Sequence, residues 1–135
     1  MAKLKFEGNV FAGLLEKLDE LGGDVGAAIE ESLEESSKIV QKNVETAMQK
    51  HHRTGETEKQ ILKNEKVEKN GVVYTIRVGF NLPEGLTSLF LMYGTPRSKP
   101  DRKLYNAIYG TKTKKEIREK QTEVISEAIK KRMEG

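Results

Sequence analysis

Apolar positions recur with a helical period over the first fifty residues, with a period of two near the middle of the chain, and with a helical period again at its end. Phe11, Leu14, Leu15, Leu18 and Leu21 stand at i, i+3, i+4, i+7 and i+10, which is one face of a helix. Gly22-Gly23 supplies a left-handed stop, and Asp24 is placed to cap a second helix. That helix is longer, with Val25, Ile29, Leu33, Val40, Val44 and Met48 in one stripe, Ala28 and Ala47 beside it, and Glu30, Glu31, Glu34 and Glu35 outside. Ser36 and Ser37 interrupt the stripe; small residues there suit the close approach of another helix or a sheet, or a bend. Ahead of both helices, residues 3–7 alternate and run into Gly8-Asn9, the pattern of a short strand or arm that ends where Asn9 can cap a helix.

His51-His52-Arg53-Thr54-Gly55 breaks the helical pattern, and beyond Ile61 the period becomes two. Val72, Tyr74, Ile76 and Val78 alternate with Val73, Thr75, Arg77 and Gly79 after the hairpin dipeptide Asn70-Gly71. A two-residue turn at that dipeptide sets Val67 opposite Tyr74 and turns Glu65 and Lys63 toward Ile76 and Val78, so the first strand of the hairpin is expected to be solvated or an edge. Residues 81–88 place Leu82 and Leu86 in a loop with Pro83 and Gly85. Leu89 to Tyr93, the most apolar run, ends at Gly94-Thr95-Pro96 and predicts a short buried strand. A basic loop over 97–101, a short helix over 104–109, a polar stretch over 110–115 and a final helix carrying Ile117, Val124, Ile125, Ala128, Ile129 and Met133 complete the chain. The pattern predicts one α+β domain over residues 1–135: a small antiparallel sheet with two N-terminal helices and one C-terminal helix packed on it.

Composition narrows this picture. The 135 residues fit one domain, and 36% hydrophobic with 33% charged residues describes a polar chain with a small core rather than a disordered one. With no cysteine there is no disulfide framework, thiolate zinc site, iron–sulfur cluster or cysteine nucleophile. No apolar run approaches the roughly 20 residues of a membrane span, and the N-terminal residues lack the apolar centre of a signal peptide, so a soluble protein made in the cytoplasm is expected, without a membrane partner. The net charge of +3 is unevenly spread: residues 1–50 carry −4 and residues 51–135 carry +7. Most of the excess lies between Tyr93 and Lys120, with nine Lys or Arg against three acids.

Catalytic chemistry has little support. His51 and His52 are adjacent, so a regular helix cannot turn both toward one metal, and their place at a helix end suits the helix dipole. A hydrolytic set of His51, Glu56 and Glu58 has no spacing that fixes its geometry. Gly110-Thr111-Lys112-Thr113 has Tyr105 where a phosphate loop needs its first glycine. The reading is therefore of a protein that is not an enzyme, with no catalytic, cofactor-binding or metal site and no cofactor. The basic stretch is more informative. Arg97, Lys99, Arg102, Lys103, Lys112, Lys114, Lys115, Arg118 and Lys120 are interleaved with Tyr93, Tyr105 and Tyr109, so cations able to neutralise phosphates stand among rings able to stack on bases. A small cytoplasmic nucleic-acid-binding protein using this basic C-terminal half is the alternative reading.

The order of these elements and several short strings resemble the head–tail joining, or tail-completion, proteins of long-tailed bacteriophages, and the similarity covers nearly the whole chain. Lys3 to Gly8, the leucine-rich helix to Leu21-Gly22-Gly23, and the longer helix with Ala28 and Ile39-Val40-Gln41 look like that family's N-terminal half. Thr54-Gly55 followed by Ile61 matches its Thr-Gly-x-Leu-x-x-Ser-Ile string in part, with Thr57 for the leucine and Gln60 for the serine. Tyr93-Gly94-Thr95, after an apolar run and before a basic, proline-containing loop, is the strongest match; Met92 stands where the family commonly has an acid, and the family's later Pro-Phe segment is missing. The resemblance implies a structural virion protein, made in the bacterial cytoplasm, that assembles with its own copies as a ring, commonly a hexamer, at the neck. There it would meet the head connector and the major tail-tube proteins, complete or attach the tail, and continue the DNA channel. On that reading Leu82, Leu86, Leu89, Phe90 and Met92 form the subunit or tail contact, and Arg97, Lys99, Arg102, Lys103, Lys112, Lys114 and Lys115 line the channel or meet an acidic partner. Segments 81–88 and 110–115 are expected to order only on contact.

Overall fold

A computed structural model describes residues 2–51, 55, 57–81, 85, 87–97 and 99–134. In chain order these form β1 (Ala2–Lys5), α1 (Ala12–Glu20), α2 (Val25–Met48), β2 (Glu68–Asn70), β3 (Val73–Val78), α3 (Thr87–Tyr93), α4 (Arg102–Tyr109) and α5 (Thr111–Glu134). This is the small α+β fold expected, with an antiparallel sheet in the order β1-β3-β2.

The N-terminal helices follow the apolar pattern closely. Phe11 and Leu18 of the first stripe are buried, and Gly22, at φ 77°, takes the left-handed conformation while the Gly23 N–H reaches the Leu18 carbonyl at 2.9 Å. The entry to α1 differs from expectation. Asn9 lies in a turn and does not cap; the N-cap position is Phe11, whose ring stacks on Phe6 with centroids 5.2 Å apart. Burial of that aromatic pair therefore sets where the helix starts, without a side-chain cap. Asp24 does cap α2, its Oδ1 accepting the Ala27 N–H at 3.0 Å. Ile29, Leu33, Val40, Val44 and Met48 are all buried along α2, as are Ser32 and Ser36. The serine interruption is a seat for α5: the Gln121 amide donates to Ser36 Oγ at 3.3 Å, and Ser36 Oγ donates to the Ser32 carbonyl at 2.7 Å.

In the sheet, Tyr74, Ile76 and Val78 of the central strand β3 point into the core beside Ala2 and Leu4 of β1, with Leu4 opposite Ile76. The hairpin turn is displaced by one residue from the one read at Asn70-Gly71. Asn70 pairs with Val73, so Gly71 (φ 67°) and Val72 make the loop, and Val72 is 93% exposed rather than part of the inward set. Lys69, not Val67, lies opposite Tyr74 and lays its ammonium 5.3 Å from the ring centroid. Glu65 is thereby free of the core and pairs with Arg77 at 3.2 Å. β2 is a solvated edge, as its polar sequence requires.

Two corrections concern the C-terminal half. Leu89 to Tyr93 is helical, not a third strand; a short apolar run carries no period of its own, and in α3 it buries Ser88 and Met92 on one side while Phe90 and Tyr93 stay exposed on the other. Of the polar stretch 110–115, Gly110 closes α4 and Thr111 to Lys115 are the start of α5, anchored by buried Thr113, whose hydroxyl donates to the Asn106 carbonyl at 2.7 Å. Of segment 81–88, residues 82–84 and 86 lie outside the described residues. α5 packs along α2 and also touches α1 and α4, whereas α2 packs on β3 and β1. The C-terminal helix thus meets the sheet chiefly through α2, which is the middle layer of the domain. At its far end Arg132 Nε donates to the Leu21 carbonyl at 3.3 Å, closing the end of α1.

Candidate functional site

The basic stretch is organised by one acid. Asp101 is buried at 9% exposure and caps α4, its Oδ1 accepting the N–H groups of Lys103 (3.0 Å) and Leu104 (3.2 Å). Its Oδ2 takes His51 Nε2 at 2.5 Å and Lys50 Nζ at 3.3 Å, both from the turn that follows α2. Its own N–H donates to the Leu91 carbonyl of α3 at 2.7 Å. Burial alone would raise this carboxyl, but hydrogen bonds from His51, the Leu104 N–H and Lys50 outweigh it and hold the group below its ordinary 3.8. One carboxylate therefore ties together the end of α2, the last turn of α3 and the start of α4.

That hub positions a tyrosine cluster. Tyr93 meets Tyr105 edge to face at 5.8 Å, and Tyr105 meets Tyr109 at 5.0 Å. Leu104, Ala107 and Ile108 bury the inner face of α4, which leaves Tyr105 and Tyr109 half-buried on its shoulder. Burial, and the nearness of Tyr93 and Tyr105, push the Tyr109 phenol above its ordinary 10.0. Arg97, Lys99 and Arg102 are exposed, and a cleft of about 290 Å³ that opens among Met92, Tyr93, Pro100, Arg102 and Tyr105 sets Arg102 beside this cluster.

The remaining lysines face elsewhere. A groove of about 520 Å³ between the end of α2, α4 and the start of α5 carries Lys50, Lys103 and Lys112 opposite Glu116. Lys114 and Lys115 are exposed on the first turns of α5. Arg118 leaves the basic set by pairing with Glu7 at 3.2 Å, and Lys120 by pairing with Glu123 at 3.5 Å. The expected apolar contact residues separate in the same way. Phe90 is 54% exposed and Leu89 half-buried, but Met92, at 2% exposure, belongs to the core and offers no surface; Leu82 and Leu86 lie outside the described residues.

Asp101 and His51 are the residues that sequence reasoning undervalued. An Asp directly before a helix is a legible cap signal, whereas the pairing of His51 with a residue fifty positions later leaves no trace in the sequence. Of the hydrolytic set, His51 is engaged by Asp101, Glu58 stands on a short turn of helix and Glu56 lies outside the described residues. Among the described residues no three His, Asp or Glu side chains converge as metal ligands, and no helix is long and apolar enough to cross a membrane. No protein-family model, curated protein or solved structure matches this chain.

Proposed function

We propose that the protein is a structural virion component of a long-tailed bacteriophage, a ring of copies at the head–tail junction that completes or attaches the tail and continues the DNA channel. The observation that carries this reading is the placement of Tyr93-Gly94-Thr95, the string on which the resemblance rests most. It closes α3 at the surface, with Tyr93 59% exposed and Gly94 at φ 78°, and it leads directly into the basic turn. A recognition string at such a place is available to a neighbouring subunit or to the head connector or tail tube. The two open sheet edges, β1 and β2, and the acidic and basic halves of the chain suit a subunit that joins unlike neighbours on its two sides. On this reading the protein has no catalytic site and acts from within the particle.

A second reading, a small cytoplasmic nucleic-acid-binding protein, is favoured by the tyrosine cluster beside Arg102, with Arg97 and Lys99 exposed on the preceding turn, which offers both stacking rings and phosphate-neutralising cations. One experiment separates them: co-sedimentation of the tagged protein with purified phage heads, purified tails and naked DNA. The virion reading requires stable association with heads or tails and little with free duplex. Binding to DNA alone, with log affinity falling linearly against log salt, would replace it with the second reading.

A further inference from the structure

The virion reading expects contact between copies but leaves its surfaces open; resting on that reading for the expectation of self-contact, we propose that the aromatic, basic end of one copy docks in the acidic groove between α2 and α5 of a second copy.

The docking end is a helix face that stays largely exposed, although one edge of Tyr93 packs on Tyr105. Phe90 and Tyr93 stand three residues apart on α3, hence on one side of it, and are 54% and 59% exposed. Two large rings held outward beside a cleft are costly to leave in water, at roughly 25 cal/mol for each Å² of apolar surface. Arg102 lines the cleft beside Tyr93, and Arg97 and Lys99 are exposed on the turn that follows α3; among the described residues none of these cations pairs with a carboxylate.

The complementary surface lies on the opposite part of the same chain. A groove of about 320 Å³ between α2 and α5 has Val124 and Ala128 along its floor, and its walls carry Glu31, Glu35, Glu123 and Glu127 against Lys120 and Lys131. Glu35 is engaged by Lys38 at 3.0 Å and Glu123 by Lys120 at 3.5 Å, while Glu31 and Glu127 have no cationic partner among the described residues. The apolar floor suits the rings, and the uncompensated carboxylates suit the free cations.

One molecule cannot satisfy both surfaces itself. The aromatic end is fastened through Asp101 to the turn that follows Met48, and Glu35 lies thirteen residues earlier on the same helix, about 20 Å away at 1.5 Å per residue. The contact is therefore head to tail between different surfaces of two copies, the kind that closes into a ring or runs on as a filament.

Light scattering on the purified chain tests this, using wild type, Arg97→Glu/Arg102→Glu, Glu31→Lys/Glu127→Lys and an equal mixture of the two variants, with circular dichroism to verify folding. The wild type should show a mass that is a multiple of 15.2 kDa and that falls as salt rises, and each reversed variant alone should be monomeric. The first variant has two acidic surfaces and the second two basic ones, so the mixture should regain assembly with the two copies alternating. A monomeric wild type at the highest soluble concentration and low salt, assembly untouched by either reversal, or a mixture that stays monomeric would each overturn the docking. So would an Arg97→Glu/Arg102→Glu variant that loses only its affinity for a labelled oligonucleotide. Particle sedimentation keeps the two proposals apart. Protein bound to heads or tails with unchanged binding in both variants overturns this interface and leaves the virion reading standing; assembly and rescue without particle binding does the reverse.

Discussion

The middle of α2 is held by apolar burial, and its C-terminal end by apolar burial with a polar hub added. In the middle, Leu33, Val40 and Val44, at 1% exposure or less, lie in one continuous core with Ile125 of α5 and Ile76 of β3. At the end, Met48, Met92 and Leu104 belong to the same core, and a single buried carboxylate is added to it that gathers His51, Lys50, two α4 amides and α3. Apolar burial has no titration point and little salt dependence, so the α2–α5 layer should behave as a rigid frame. A polar hub is directional and is weakened by one proton, so the α3–α4 end, which bears the exposed rings and free cations, should lose stability in acid before the frame does, down to what its buried Met92, Leu104 and Ile108 supply.

The largest effect should come from breaking the frame. Leu33→Ala removes a side chain with no exposure and should lower stability by about 2 to 5 kcal/mol, read as a fall in the urea midpoint and a global loss of amide protection. Next comes the hub. Asp101→Ala removes a cap and leaves His51 and Lys50 without their shared acceptor, and should cost about 1 to 2 kcal/mol from the cap alone. Its signature is local: hydrogen exchange should quicken at the Lys103 and Leu104 amides and stay unchanged at Val40 and Val44.

Acid sharpens the same contrast. Because the folded-state Asp101 carboxyl is held below its ordinary 3.8, its contribution is complete at pH values well above 3.8 and is lost as pH falls through 3.8 to the lower folded value. Thermal melts should therefore show wild-type stability declining over that window more steeply than that of Asp101→Asn. The smallest effect belongs to the exposed end itself. Tyr93→Ala should lower stability by about 0.5 to 1.5 kcal/mol in a chemical denaturation curve, the loss of its edge contact with Tyr105, while also weakening assembly, since the rest of its ring is solvated in the single copy.

Legibility differed between elements for reasons visible in particular residues. The stripes on α1 and α2, the Gly22 stop, the Asp24 cap and the inward set Tyr74, Ile76 and Val78 were readable because each depends on neighbours a few positions away. The Leu89–Tyr93 run was misread because five apolar residues have no period, and the displaced hairpin turn because Asn70-Gly71 and Gly71-Val72 both place a glycine where the loop can use it. At the candidate site, the basic and tyrosine content was legible, but not the grouping that sets Arg102 at the tyrosines, Lys103 and Lys112 in a separate groove, and Arg118 on Glu7.

The sequence by itself determined the α+β class, the long amphipathic helices, the polar edge strand, the absence of thiol chemistry and the charge asymmetry between halves, all of which follow from composition or local spacing. Only the tertiary structure decided that α5 lies on α2, that Met92 is core while Phe90 and Tyr93 face outward, and that Asp101 joins three helices. Such pairings depend on which distant surfaces fit and which buried polar groups find partners. A carboxylate and an imidazole fifty residues apart become one unit only when the apolar frame has brought them together.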